Sequence, residues 1–230
     1  MAASAALDSY EERVAAIAAM PDDKRTAAIS RFIKDTGKDD DSAAAASQAL
    51  ENMLLGADSP IKDEGLYILF AEEMLRSGYP NRVRNEWMLK AVSRNRPGQM
   101  LPEFEFEDRN GTIHSSAELR GHLTMLMFYD PDCSDCSEAI SRLSTDASIN
   151  GAIDRGDIAM VCIYADGDRD LWLSEPGKVP SGWTDGIDTG RIADEELFVI
   201  PMTPTIYLIG PDGRILLKEA DVEDILNFGL

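Results

Sequence analysis

Two cysteines, Cys133 and Cys136, stand two residues apart in the stretch FYDPDCSDCSEAI, Phe128 to Ile140. Thiols at this spacing serve dithiol–disulfide exchange, half of a metal site, or a structural staple. The run LTMLMFY ahead of them reads as a buried strand. CSEAISRLSTDA, which begins at Cys136, has helical spacing through Ile140 and Leu143. Cys133 is therefore expected to open a helix. The unpaired N–H groups of a first helical turn, with the helix dipole, favour an anion there, and the thiolate is the nucleophilic form of a cysteine. Cys136 follows one turn later, within disulfide reach. Attack by Cys133 on a substrate disulfide, then displacement by Cys136, is the exchange such spacing serves. Asp130, Asp132 and Asp135 crowd the first cysteine, and like charge raises a thiol's pKa. The helix terminus pushes the other way by typically about 1 kcal/mol, so the charges alone leave the sign open.

The other chemistries fit less well. A structural zinc site needs about four ligands. Beyond the pair the sequence offers Cys162, inside an apolar run, and His114 and His122, neither at ligand spacing. No metal and no cofactor is expected. A disulfide kept only as a staple gains little when it closes so short a loop. Cys162, among Met160, Val161 and Ile163, reads as a small buried hydrophobe. The two histidines, flanking SSAELRG, read as surface residues.

The elements that must position the pair change character near NRPGQMLPEF, Asn95 to Phe104. Before it, Leu7, Tyr10, Val14 and Ile17 recur at helical intervals. So do Ala43, Ala46, Leu50 and Met53, and then Leu66, Phe70 and Met74. Pro21, Gly37, Pro60, Gly78 and Pro80 punctuate these segments. Four or five short helices are expected up to about Arg94, with alanine faces that let helices approach closely. After the linker, LTMLMFY and IAMVCIYA have the length and continuous apolarity of strands buried on both faces, and TIYLIGPDGRILLK reads as a hairpin around Pro-Asp-Gly. Strand, helix, strand, helix, hairpin predicts an α/β fold, a mixed sheet flanked by helices. The expected division is an all-α helical domain over residues 1–97 and a second domain over 98–230.

Composition bounds the partners. The formal charge of −20 argues against nucleic acid and against an anionic membrane surface. No apolar run approaches the roughly 20 residues that cross a bilayer. The start MAASAALDSYEERV shows no charged region followed by an apolar block, so no signal peptide is legible. Three cysteines in 230 residues do not make a disulfide scaffold.

NGTIHSSAELRGHLTMLMFYDPDCSDC, Asn110 to Cys136, resembles the opening of thioredoxin-like domains of the TlpA/ResA type: a turn with glycine, a leucine, a glycine, a hydrophobic strand, then C-x-x-C. VCIYADGDRDLW resembles their next strand, with its acidic end and following helix. FVIPMTPTIYLIGPDGRI, Phe198 to Ile215, resembles their x-Pro-Thr-x-hydrophobic strand and hairpin. The resemblance runs from about Leu101 to the C-terminus. ADSPIKDEGLYILFAEEMLRS and VPSGWTDGID resemble segments of bacterial cell-envelope proteins in which an uncharacterised helical domain precedes such a thioredoxin domain.

The resemblance implies a thioredoxin-like mixed sheet and a thiol–disulfide oxidoreductase in which Cys133 attacks and Cys136 resolves. It implies that Pro204 is a cis-proline facing the dithiol, and that the backbone of Thr203 pairs with an extended substrate peptide. Pro201 reads as a loop residue. The implied partners are protein or peptide thiols and disulfides and an upstream thiol electron donor. The implied location is periplasmic or associated with the cell envelope, with the targeting segment expected outside this sequence. The sequence departs from the family at three points. Asp132 replaces a tryptophan, Met127 stands where thioredoxin buries an acid, and Ser134-Asp135 replaces Gly-Pro. They motivate the alternative of a redox-inactive binding or assembly protein that uses the fold as a scaffold. A thiol peroxidase needs a Pro-x-x-x-Thr/Ser-x-x-Cys loop, which YDPD before Cys133 does not provide.

Overall fold

A computed structural model of the chain describes residues 2–56 and 59–228, with side chains from Tyr10 onward. Leu7 lies outside the described side chains. The chain divides into two units, one ending at Arg94 and the other beginning at Asn95.

Among the described residues the first unit holds five helices: α1 (Ala2–Ala18), α2 (Asp22–Thr36), α3 (Asp40–Leu54), α4 (Glu64–Ser77) and α5 (Arg82–Ser93). Their ends follow local chemistry. The carboxylates of Asp39 and Asp63 accept the N–H groups of Ser42 and Leu66, each at 2.8 Å, and so cap α3 and α4. Gly78 stops α4 at φ 72°, a left-handed conformation that costs glycine little. The periodic positions face inward: Val14, Ile17, Ala43, Ala46, Leu50, Leu66, Phe70 and Met74 are buried in one core, with Tyr10 and Met53 packed at its margin. Phe32 and Phe70 meet edge to face at 5.5 Å. Of the buried alanines, Ala43, Ala46 and Ala49 belong to α3, which packs against α1, and Ala71 belongs to α4.

The second unit is an α/β fold. Its elements are β1 (Glu105–Asp108), β2 (Ile113–Ser115), β3 (Leu123–Tyr129), α6 (Ser134–Thr145), α7 (Ala147–Asp154), β4 (Ile158–Tyr164), α8 (Arg169–Ser174), β5 (Thr184–Asp188), α9 (Arg191–Asp194), β6 (Thr205–Ile209), β7 (Ile215–Ala220) and α10 (Val222–Leu226). Among the described residues the sheet has seven strands in the order β2-β1-β5-β4-β3-β6-β7. β3 and β4 are parallel, as are β4 and β5, and β6 returns antiparallel beside β3. Met125, Met127 and Tyr129 pack on one face with α6 and α7, while Leu126 and Phe128 pack on the other with Phe104, Phe106 and Phe198. Both faces are covered, which is why the strand reads as an unbroken apolar run.

Three strands lie outside the sequence expectation: β1, β2 and β5. β5 is TDGID, and its Gly186 is a packing requirement. A Cβ there would come within 2.6 Å of the Phe106 ring, so only glycine lets β1 lie flat beside β5.

Candidate active site

Strand β3 delivers the chain to the site at Tyr129, and Cys133 is the N-cap of α6. The loop between is fixed by its own polar groups. The Asp130 carboxylate accepts the Asp132 N–H at 2.7 Å, and the Asp130 carbonyl accepts the Cys133 N–H at 3.1 Å. The Cys133 sulfur then takes the place of a capping oxygen, accepting the Cys136 N–H at 3.2 Å. α6 buries Cys136, Ala139, Ile140 and Leu143 and leaves the opposite side to solvent. Cys133 is half-buried, whereas Cys136 is 1 % exposed.

Across from the helix tip, the Thr203–Pro204 peptide is cis. The Thr203 carbonyl accepts from the Cys133 thiol at 3.5 Å. Pro204 leads directly into β6, the antiparallel neighbour of β3. The Cys133–Cys136 pair and Thr203, 70 positions after Cys133, are thus brought together, with Pro204 next to Thr203.

The two thiols are driven in opposite directions. Burial pushes the Cys133 thiol up. Hydrogen bonds from the Cys136 side chain and N–H, the Thr203 side chain and the Asp135 N–H outweigh it, so its pKa falls below the ordinary thiol value. Burial, reinforced by hydrogen bonding with Cys133, pushes Cys136 up to about 12. The balance that charge counting left open is settled by these local donors.

Beneath the pair the site is apolar. Met127 pairs across the sheet with Cys162, which is completely buried, and burial drives the Cys162 thiol far up. The nearest register partner of Cys162 on β5 is Asp185. Its carboxylate collects the Tyr129 hydroxyl at 2.6 Å, the Trp172 indole N–H at 3.0 Å and the Arg109 guanidinium at 2.6 Å. Arg109 also lies over the Trp172 ring, 4.0 Å from its centroid. Sequence reading misses this cluster. No local spacing signals it, although WTD at Trp183 to Asp185 supplies its central acid.

His114 is more engaged than a surface residue. It stacks on Phe106 at 5.3 Å and hydrogen-bonds Glu118 at 2.8 Å and Asp108 at 3.3 Å, and the Glu118 bond holds its pKa above the usual histidine value. His122 is half-buried just ahead of β3. Among the described residues, no group of three or more His, Cys, Asp or Glu could hold a metal ion. No described helix is long and apolar enough to cross a membrane.

A family described as thioredoxin-like domain matches residues 112–221. This part of the chain is a thioredoxin-like domain. Over 88% of its length the whole chain is similar to 75% of a thioredoxin-like protein from Bacteroides caccae, at 26% identity and TM-score 0.77, so that likeness extends beyond the thioredoxin-like domain. A conserved protein of unknown function from Bacteroides fragilis matches 58% of the chain with 98% of its own, at 29% identity and TM-score 0.56. The thioredoxin domain of a thiol-disulfide oxidoreductase from Bacteroides vulgatus matches 59% with 99% of its own, at 19% identity and TM-score 0.50, and at that identity shares the fold alone. None of the curated proteins matches the sequence.

Proposed function

We propose that the protein is a thiol–disulfide oxidoreductase acting on protein or peptide disulfides, with Cys133 attacking and Cys136 resolving. One juxtaposition carries this reading: a half-buried thiol of lowered pKa at a helix N-terminus, with the Cys136 N–H and the Thr203 carbonyl both touching its sulfur. The Cys133 thiolate attacks one sulfur of the substrate disulfide, forming a mixed disulfide, and the other substrate sulfur leaves as a thiolate that takes up a proton. Cys136 gives up its proton and attacks the Cys133 sulfur. The Cys133–Cys136 bond forms, and the second substrate sulfur leaves as a thiol. Two electrons have passed to the substrate, and an upstream thiol donor restores the dithiol.

The local geometry supports a task for each partner. With its pKa at about 12, Cys136 does not compete for the substrate. Once Cys133 ionises, the Thr203 carbonyl loses its thiol donor and is open to the backbone N–H of an extended substrate segment, in the manner of β-strand addition. An oxidising compartment, the periplasm or cell envelope, supplies disulfides that persist long enough to be substrates.

A redox-inactive scaffold is the alternative, and Met127 favours it: fully buried, it leaves no carboxylate at that position beside the dithiol. Reduction of insulin disulfides by dithiothreitol separates the two. The exchange enzyme accelerates the reaction well above the protein-free rate. A rate equal to that background overturns the proposal and leaves the scaffold.

A further inference from the structure

A cleft of about 390 Å³ opens at the carboxyl ends of β3 and β4, against the dithiol. Two of its lining residues touch Cys133: Thr203 through its carbonyl on the sulfur, and Asp130 through its carbonyl on the Cys133 N–H. Phe128, Ile192 and Phe198 give it buried apolar walls. Met202, which also lines it directly before Thr203, is 71 % exposed. The lining contains no lysine, arginine or histidine, and its acidic residues are Asp130, Asp166 and Glu196. The field of this region is felt nearby: burial, then the charges of Asp130, Asp166 and Asp168, push the Tyr164 phenol up. An apolar slot with a carboxylate rim matches one kind of side chain, a long aliphatic stem with a cationic head.

We propose that the cleft selects disulfide substrates carrying a lysine or arginine one or two residues from the bonded cysteine. This rests on the exchange reading above. The aliphatic stem lies along Met202 and Phe198, and the cation sits at Asp130 and Asp166. An extended chain advances roughly 3.3–3.6 Å per residue, so such a neighbour reaches the cleft while its cysteine meets Cys133. The overall charge of −20 draws the same substrates in from a distance.

The test uses the full chain and two disulfide-bridged peptides of one neutral sequence, with lysine or glutamate beside the cysteine. The ratio of their kcat/KM values is divided by the ratio of their rates with dithiothreitol, which removes the lysine's own effect on the disulfide. The lysine peptide is expected to lead by about tenfold, equivalent to about 1.4 kcal/mol. Asp166→Lys should collapse that ratio. In the unaltered protein the ratio should also shrink between low and about 1 M salt, where the Debye length is only about 3 Å. Equal turnover of both peptides overturns this inference and leaves exchange standing. Failure to reduce either peptide overturns the exchange reading and this inference with it.

Discussion

Replacing Cys133 by serine will bring insulin-disulfide reduction down to the protein-free background, a loss on the order of a hundredfold or more. A serine hydroxyl does not ionise near neutral pH, so the attacking species is gone. The fold has no reason to follow it. Cys133 is the N-cap of α6, and serine is among the best residues for that position. Cys136→Ser will behave differently. Cys133 remains able to attack, but no resolving cysteine displaces the substrate, so in the absence of dithiothreitol a mixed disulfide between Cys133 and the substrate will accumulate and appear by mass spectrometry. Cys162 offers no rescue, being completely buried on β4 with its thiol pushed far up. Turnover by Cys133→Ser at the unaltered rate would remove Cys133 from the chemistry, and the absence of a mixed disulfide with Cys136→Ser would remove Cys136 from it.

The second large effect concerns stability. Asp185→Ala will destabilise the thioredoxin-like domain by about 3–5 kcal/mol, the range for losing one partner of a buried ion pair. The Asp185 carboxylate is nearly sealed, its side chain 9 % exposed, and three donors converge on it. Tyr129 and Trp172 are each 1 % exposed, and their hydroxyl and indole N–H lose their carboxylate acceptor when Asp185 is truncated. Each orphaned donor costs about 1–3 kcal/mol. Arg109 keeps the carbonyls of Trp172 and Glu175, which places the total toward the lower end. Asp185→Asn, which retains one acceptor oxygen, should cost less. The check is the urea midpoint of the transition that melts this domain, and a shift worth less than about 1 kcal/mol would show the cluster to be dispensable.

What the sequence made legible follows from where information is local. β3 and β4 are apolar on both faces, so their runs announce them without any knowledge of neighbours. The cysteine spacing and the strand-to-helix junction are equally local, as are the inward faces of α3 and α4. β1 and β5 are the opposite case. EFED and TDGID carry few apolar residues, and they are strands because the backbone of one pairs with the other while Phe106 packs over Gly186. Asp188, at the end of β5, is buried because its carboxylate accepts the N–H groups of Ile192 and Ala193 at the start of α9. Nothing in a one-dimensional pattern marks it.

The same distinction runs through the site. That two thiols stand ready to exchange is written in their spacing. The direction of the Cys133 shift is not, because it depends on donors from Cys136, Thr203 and Asp135 whose aim is set by the fold. Three acidic neighbours suggested a contest of charges, and hydrogen bonds to the sulfur decided it. The Asp185 cluster joins residues 13 to 76 positions apart, and the acidic cleft is assembled from the ends of β3 and β4 and the segment leading to Thr203. Such features exist only after the sheet has formed.

Equilibration of the protein with glutathione redox buffers, with the bonded cysteines mapped by mass spectrometry, tests most directly whether Cys133 and Cys136 are a working dithiol. The expected result is one two-electron transition that forms the Cys133–Cys136 bond, at a potential within the range of about −270 to −120 mV covered by thioredoxin-fold exchangers, with Cys162 still a free thiol. A chain that forms no such bond at any glutathione ratio, or that pairs Cys162 instead, would contradict it.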